Sequence, residues 1–252
     1  MQISGKVIAV TGGANGIGRA MARRFAKEGA AHIAIADLNG AGAAAVAKEI
    51  GGSSMRVDVR HESELVDFIA ATERDHGPID LFCSNAGIGV GRGLETPDPV
   101  WQTIWEVNLM AHVYAARHLV PRMIQRGGGY LLNTASAAGL LSQIGSVTYT
   151  VTKHAAVSLA EWIALTHRHE GIKVSVLCPQ AVRTDMIAGN EGDVASVDGI
   201  MEPEQVADAV VKGLEAEKFL ILPHTEVADY VLRKATDRDR WIGGMNRLRQ
   251  KY

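Results

Sequence analysis

Cysteine is almost missing from this chain: Cys83 and Cys178 are the only two in 252 residues. Each lies in or beside an apolar run, Leu81-Phe82-Cys83 and Val174-Ser175-Val176-Leu177-Cys178, which predicts buried reduced thiols rather than a disulfide scaffold. A surplus of one charge is missing too. The 26 Lys and Arg stand against 28 Asp and Glu, a formal net charge of −2, so no bulk field draws the chain to nucleic acid or anionic lipid. No apolar run reaches the roughly 18 residues that would indicate a bilayer span. The opening Met1-Gln-Ile-Ser-Gly-Lys6 has no apolar segment of the signal type, and the expected location is cytoplasmic. No Pro/Ser-rich linker or break in composition divides the chain, so one α/β domain is expected.

What is present is a strict alternation. Short β-branched runs at Val7–Val10, His32–Ala36, Ser53–Val57, Ile79–Ser84, Gly129–Thr134, Lys173–Leu177 and Phe219–Leu222 predict seven strands. Between them, stretches of helical period predict helices near 16–29, 40–50, 62–76, 99–125, 147–170 and 203–216. Repeated βαβ units of this kind give a doubly wound parallel sheet with helices on both faces. The helices near 99–125 and 147–170 are the longest and carry apolar residues on more than one side, which predicts burial against a partner as well as the sheet.

The first strand runs into Thr11-Gly12-Gly13-Ala14-Asn15-Gly16-Ile17-Gly18. Glycines between a strand and a helix let backbone N–H groups approach a pyrophosphate at the helix N-terminus, where the macrodipole favours negative charge. The turn has no Gly-Lys-Ser/Thr ending, which disfavours an NTPase. Asp37 ends the second strand about 20 residues on, where a carboxylate accepts from the adenosine ribose 2′-OH and repels a 2′-phosphate. Leu38 and Asn39 follow it without an Arg or Lys, so NAD is favoured over NADP.

Tyr149 and Lys153 are four residues apart in a helical stretch, so both side chains lie on one face. A secondary alcohol must lose its O–H proton as hydride leaves its carbon, and a phenol beside an ammonium suits that work because the positive charge favours the phenolate. Ser136 follows the apolar run 129–134, at the carboxyl end of a strand, where open α/β sheets bind ligands.

Thr11-Gly12-x3-Gly16-Ile17-Gly18, Asp58-Val59, Asn85-Ala86-Gly87, Asn108, Ser136, Tyr149-x3-Lys153 and Pro179 with Thr184 occur in that order. Over essentially its full length the chain resembles the short-chain dehydrogenase/reductase family. The resemblance implies a single Rossmann-fold domain over 1–252, with its cofactor-binding half at about 1–135 and its catalytic and substrate-binding part at about 136–252. It implies that Tyr149 is the general acid/base, that Lys153 also bonds the nicotinamide ribose, and that Ser136 holds the substrate oxygen. Asn108 would support a water in a proton relay from Lys153. Gly12, Asn15, Gly16, Ile17, Gly18, Asp37, Leu38, Asp58, Val59, Asn85, Ala86, Gly87, Tyr149, Lys153, Pro179, Val182 and Thr184 would surround the cofactor. Gln180 departs from the family, which usually has Gly there beside the nicotinamide, and would place an amide in the pocket mouth.

Loops at the carboxyl ends of the strands, 88–94, 140–146 and 180–201, should shape the substrate pocket. Leu140, Leu141, Ile144, Val147, Met186 and Ile187 would form an apolar wall, and Arg92, Gln143 and Gln180 the polar handles, for an apolar or aromatic alcohol or ketone. A sugar or cyclic polyol, and a protein that binds NAD without turnover, are the alternatives. No metal is expected, since His167 and His169 flank Arg168 at a helix end without a third ligand. In the tail, Trp241, Ile242, Met245 and Leu248 recur at helical spacing and should pack on the chain's own sheet or a neighbouring subunit. A small-molecule substrate and a homo-oligomer, tetramer or dimer, complete the expectation, with neither nucleic acid nor membrane as partner.

Overall fold

The computed structural model describes residues 1–189, 192 and 194–251. Positions 190, 191 and 193 of the expected substrate loop, and 252 of the tail, lie outside the described residues.

All seven strands form one parallel sheet: β1 (Val7–Thr11), β2 (His32–Asp37), β3 (Ser53–Arg56), β4 (Leu81–Ser84), β5 (Gly129–Thr134), β6 (Ile172–Leu177) and β7 (Leu220–Ile221). Their order is β3-β2-β1-β4-β5-β6-β7. Alternation along a strand sends neighbouring side chains to opposite faces. In β1, Val7 and Ala9 therefore enter one apolar core and Ile8 and Val10 the other. Helices α1 (Gly16–Lys27), α2 (Gly40–Ile50) and, late in the chain, α8 (Pro203–Glu215) cover the second core. The first is covered by α3 (Glu62–His76), α5 (Ala111–Gln125) and α7 (Val147–His167). Both cysteines are buried and free, as expected, and burial alone lifts the Cys83 thiol far above its ordinary value.

The expected helix near 99–125 is not continuous. Helix α4 (Asp98–Trp105) passes into a π turn at Glu106–Met110 before α5 begins. A single π turn inside a helix widens the ladder by one residue, and here it carries Asn108. The stretch expected as helix to 170 closes earlier, in a 3₁₀ turn at Arg168–Glu170, because Gly171 (φ 84°) takes the left-handed conformation. Three further helices appear: α6 (Ala138–Leu141), α9 (Glu226–Thr236) and α10 (Arg238–Arg249). Among the described residues no helix is long and apolar enough to cross a membrane.

The sheet order reverses direction between β1 and β4, and in doubly wound sheets the crevice at such a switch point binds the ligand. The glycine-rich turn, β4's end and β5's end all open there.

Candidate active site

A single cleft of about 1400 Å³ runs along the carboxyl ends of the strands. That exceeds the usual range of roughly 300–1,000 Å³ for one small ligand, and so leaves room for a cofactor and a substrate together.

At one end, Asn15 caps α1 by accepting from Gly16 N–H at 2.7 Å. Gly12 (φ 67°) and Gly16 (φ 52°) hold backbone conformations that favour glycine. A Cβ on Gly12 would sit 2.8 Å from Ala86 Cα, and one on Gly18 only 2.1 Å from the Gly12 carbonyl oxygen. Gly18 is absent from the cleft lining; its role is close packing of α1 on the turn. Asp37 accepts from Ala14 N–H at 3.0 Å and Asn39 N–H at 2.9 Å, which fixes its carboxylate against the turn while it still lines the cleft.

Asn85 acts as a strut. Its amide donates to the carbonyls of Thr11 and Gly12 at 3.2 and 3.3 Å, and Thr134 Oγ1 donates to its Oδ1 at 3.0 Å. Thr11 Oγ1 in turn accepts from the N–H groups of Asn85 and Ala86 at 2.9 and 3.1 Å. The turn, β4 and β5 are thus one bonded unit. Ile17, Leu38, Val59, Ala86, Gly87, Pro179, Val182 and Thr184 line the same cleft. So does Asp58, whose carboxylate is gripped by Arg60 at 2.6–3.1 Å and thereby held below its ordinary value. Arg60 is a lining residue that the sequence reading missed; only its spacing of two from Asp58 hinted at it.

Further along, Tyr149 and Lys153 project from one face of α7, with the Lys153 ammonium 5.6 Å from the Tyr149 ring centre. Lys153 is 2% exposed and donates to the Thr134 carbonyl at 3.0 Å. Burial pushes it down to about 8. Burial also holds the Tyr149 phenol above its ordinary value, opposed in part by the Ser136 hydroxyl. The sequence pointed to an ammonium that favours the phenolate; in the structure burial is the largest influence on the phenol.

Ser136 lines the cleft and accepts from Ala138 N–H at 3.1 Å while donating to the Pro179 carbonyl at 3.3 Å. It therefore opens α6 as well as facing the site. Asn108 is fully buried behind this group, outside the cleft lining. Its side chain exchanges bonds of 2.9 Å with both the N–H and the carbonyl of Ile88, and donates to Thr152 at 3.3 Å. A Cβ on Gly87 would lie 3.3 Å from Lys153 Nζ and 3.4 Å from Asn108 Oδ1, so the missing side chain at 87 is what leaves room for that pair.

At the substrate end, Arg92, Leu141, Gln143, Ile144, Gln180, Met186 and Ile187 line the cleft as expected. Leu140 and Val147 do not. Leu140 packs into the core beneath and its carbonyl accepts from Lys234, while the Val147 N–H is spent on the Arg92 carbonyl at 2.8 Å. Nor is the Gln180 amide a free handle: it donates to Asp198 at 3.0 Å, and Asp198 accepts from Tyr230 at 2.9 Å. The tail differs most from expectation. Instead of lying on the sheet, Trp241 packs near Tyr230 with ring centres 6.5 Å apart, and Trp241, Met245 and Leu248 line the cleft. Ile242 points outward, 58% exposed. Among the described residues no cluster of His, Cys, Asp and Glu could hold a metal.

The parallel sheet, with its glycine turn at the switch point and the polar group beyond it, places the chain in the doubly wound α/β class. The chain belongs to the short-chain dehydrogenase family, which it matches over residues 6–194. It is 34% identical to 1-deoxy-11-beta-hydroxypentalenate dehydrogenase of Streptomyces exfoliatus, over 90% of this chain and 86% of that protein. It is 31% identical to D-beta-hydroxybutyrate dehydrogenase of Rhizobium meliloti, over 95% of both chains. The crystal structure of a short chain dehydrogenase/reductase from Burkholderia phymatum in complex with NAD superposes with a TM-score of 0.87 at 26% identity, covering 95% of this chain and 96% of that one.

Proposed function

We propose that this protein is an NAD-dependent dehydrogenase that interconverts a secondary alcohol and its ketone, with an apolar or aromatic body on the substrate. The observation that carries the reading is convergence: Ser136, Tyr149 and Lys153 share one cleft with the glycine-rich turn and Asp37. The cradle fits a dinucleotide, because Gly12 and Gly16 present bare backbone at the capped end of α1 and Gly87 keeps the floor open toward Lys153. Bound there, NAD supplies a hydride acceptor. Tyr149 takes the proton of the alcohol O–H in oxidation and returns it in reduction. Lys153 keeps positive charge beside that phenol and reaches the ribose, Ser136 holds the substrate oxygen, and Asn108 supports the route by which the proton exchanges with water. The dehydrogenases of hydroxy compounds among the relatives support this chemistry.

Asp37 sets the cofactor. Its carboxylate is fixed by two backbone bonds, so it bonds a 2′-OH and repels a 2′-phosphate. Rates with a panel of secondary alcohols, ketones and polyols should show kcat/KM at least about tenfold higher with NAD than NADP, a discrimination of roughly 1.4 kcal/mol. Asp37→Ala should erase most of it. A wild-type preference for NADP refutes the assignment of Asp37, turnover of polyols alone refutes the apolar substrate, and no turnover with any substrate favours a protein that binds NAD without chemistry.

The same reading includes a homo-oligomer, tetramer or dimer. Val151, Trp162 and Leu165 of α7 are 40, 58 and 78% exposed, an apolar face on the helix that carries the site, and such patches mark interfaces. Light scattering at micromolar concentration should return a multiple of the 26.9 kDa chain mass; a monomeric mass overturns this. With the tail placed over the cleft, the support comes from α7 rather than from residues 241–252.

A further inference from the structure

Beyond Tyr149 the cleft opens between the loop after β4 and the helix pair α9–α10, and the charges of that pair are sorted. Trp241, Met245 and Leu248, spaced by four and three, set one apolar face of α10 toward the opening. Arg92, Arg233 and Arg249 line the cleft from three different elements. The acids of the helix pair, Glu226, Asp229, Asp237 and Asp239, are not among the lining residues. Asp229 stands four residues before Arg233, the spacing of a helical ion pair, yet no pair forms. The Arg233 guanidinium lies instead over the Tyr230 ring, 5.7 Å from its centre. None of the three guanidiniums has an ion-pair partner among the described residues. The carboxylates described in the cleft are Asp37, Asp58 and Asp185. All three are engaged near the cofactor end: with Ala14 and Asn39 N–H, with Arg60, and with Asn15.

We propose that the substrate end takes an amphipathic anion: an apolar body against Trp241, Met245 and Leu248, and a carboxylate, remote from the reacting carbon, held by Arg233 and Arg249. A guanidinium fork matches a carboxylate with two parallel hydrogen bonds. Arg92 adds positive field at the same mouth. Which carbon reacts rests on the dehydrogenase reading; the anion site does not.

The test is isothermal titration of the NAD-saturated protein with 9-oxodecanoate and with its methyl ester, which share the apolar chain and ketone but differ in charge. The acid should bind at least tenfold more tightly than the ester. Arg233→Gln combined with Arg249→Gln should weaken the acid at least tenfold and leave the ester within about twofold, which also shows that the variant is folded. Arg247→Gln, on α10 but outside the cleft lining, should change neither. Equal affinity for the two probes, no measurable binding of either, or acid binding that the double variant leaves intact overturns the proposal. Because this binding needs no turnover, arginine-dependent binding without any alcohol oxidation refutes only the dehydrogenase reading. Alcohol oxidation together with acid binding that does not depend on the arginines refutes only the anion site.

Discussion

Tyr149→Phe should lower kcat at least about a hundredfold while NAD affinity stays nearly that of the wild type. General acid–base catalysis is worth roughly 10²–10⁴, and the substitution removes one oxygen from a ring whose packing a phenyl group keeps. Lys153 holds its place through Thr134, at 3.0 Å, so the neighbouring charge need not move with the phenol. The cofactor cradle is built from the glycine turn, Asn85 and Asp37, none of which bonds Tyr149. Because burial raises the phenol above its ordinary value, its proton-bearing form prevails near neutrality. Alcohol oxidation, which needs the base form, should quicken as pH rises, and ketone reduction should slow. Steady-state rates in both directions, with titration of NADH fluorescence for affinity, decide it. Retention of more than about a tenth of the wild-type rate sinks the assignment, since that loss is below what a proton carrier is worth.

The Tyr149–Lys153 face was legible because a separation of four on a helix needs no tertiary information. The strands were legible for a similar reason: runs such as Val7–Val10 and Gly129–Thr134 are buried on both faces and read as unbroken apolar stretches. What local pattern could not carry was destination. The helical spacing of Trp241, Met245 and Leu248 was plain, but whether that stripe met the sheet, another subunit or the cleft depends on how α9 turns the chain, and α9 is anchored by Tyr230 to Asp198 far away in sequence. Leu140 and its neighbour Leu141 both pack into core within one short turn of α6, yet only Leu141 also lines the cleft, a choice of face that no period fixes in four residues. The π turn at Asn108 has no composition of its own, and the side chain it carries is bonded to Ile88 and Thr152, partners no local pattern names.

His112 makes the protein acid-sensitive in a way a single substitution should reveal. It lies one turn beyond Asn108, 1% exposed, and neither ring nitrogen has a hydrogen-bond partner among the described residues. Burial first, and the Lys153 charge second, push it down to about 3 from an ordinary 6.5, and the adjacent Asn133 side chain, too poorly aligned to satisfy either nitrogen, opposes them only weakly. The folded state therefore keeps the ring neutral while the unfolded chain protonates it as soon as pH falls below 6.5. The stability this neutrality represents is complete above 6.5 and is lost progressively between 6.5 and about 3. At pH 4.5, two units below 6.5, the loss from this group alone is about 3 kcal/mol, at 1.36 kcal/mol per unit. His32, His154 and His224, each lowered chiefly by burial, add to the same limb, so only a comparison isolates the share of His112. His112→Leu puts an apolar group of similar size where a buried ring without a well-formed hydrogen bond stood, a change that is close to neutral or stabilising at pH 7. Urea unfolding of both proteins at one concentration, at pH 7 and 4.5, should show the variant losing about 3 kcal/mol less between the two. Equal losses would mean that the imidazole finds a proton-accepting arrangement in the folded state, and that the pocket beside Lys153 is neither dry nor hostile to charge.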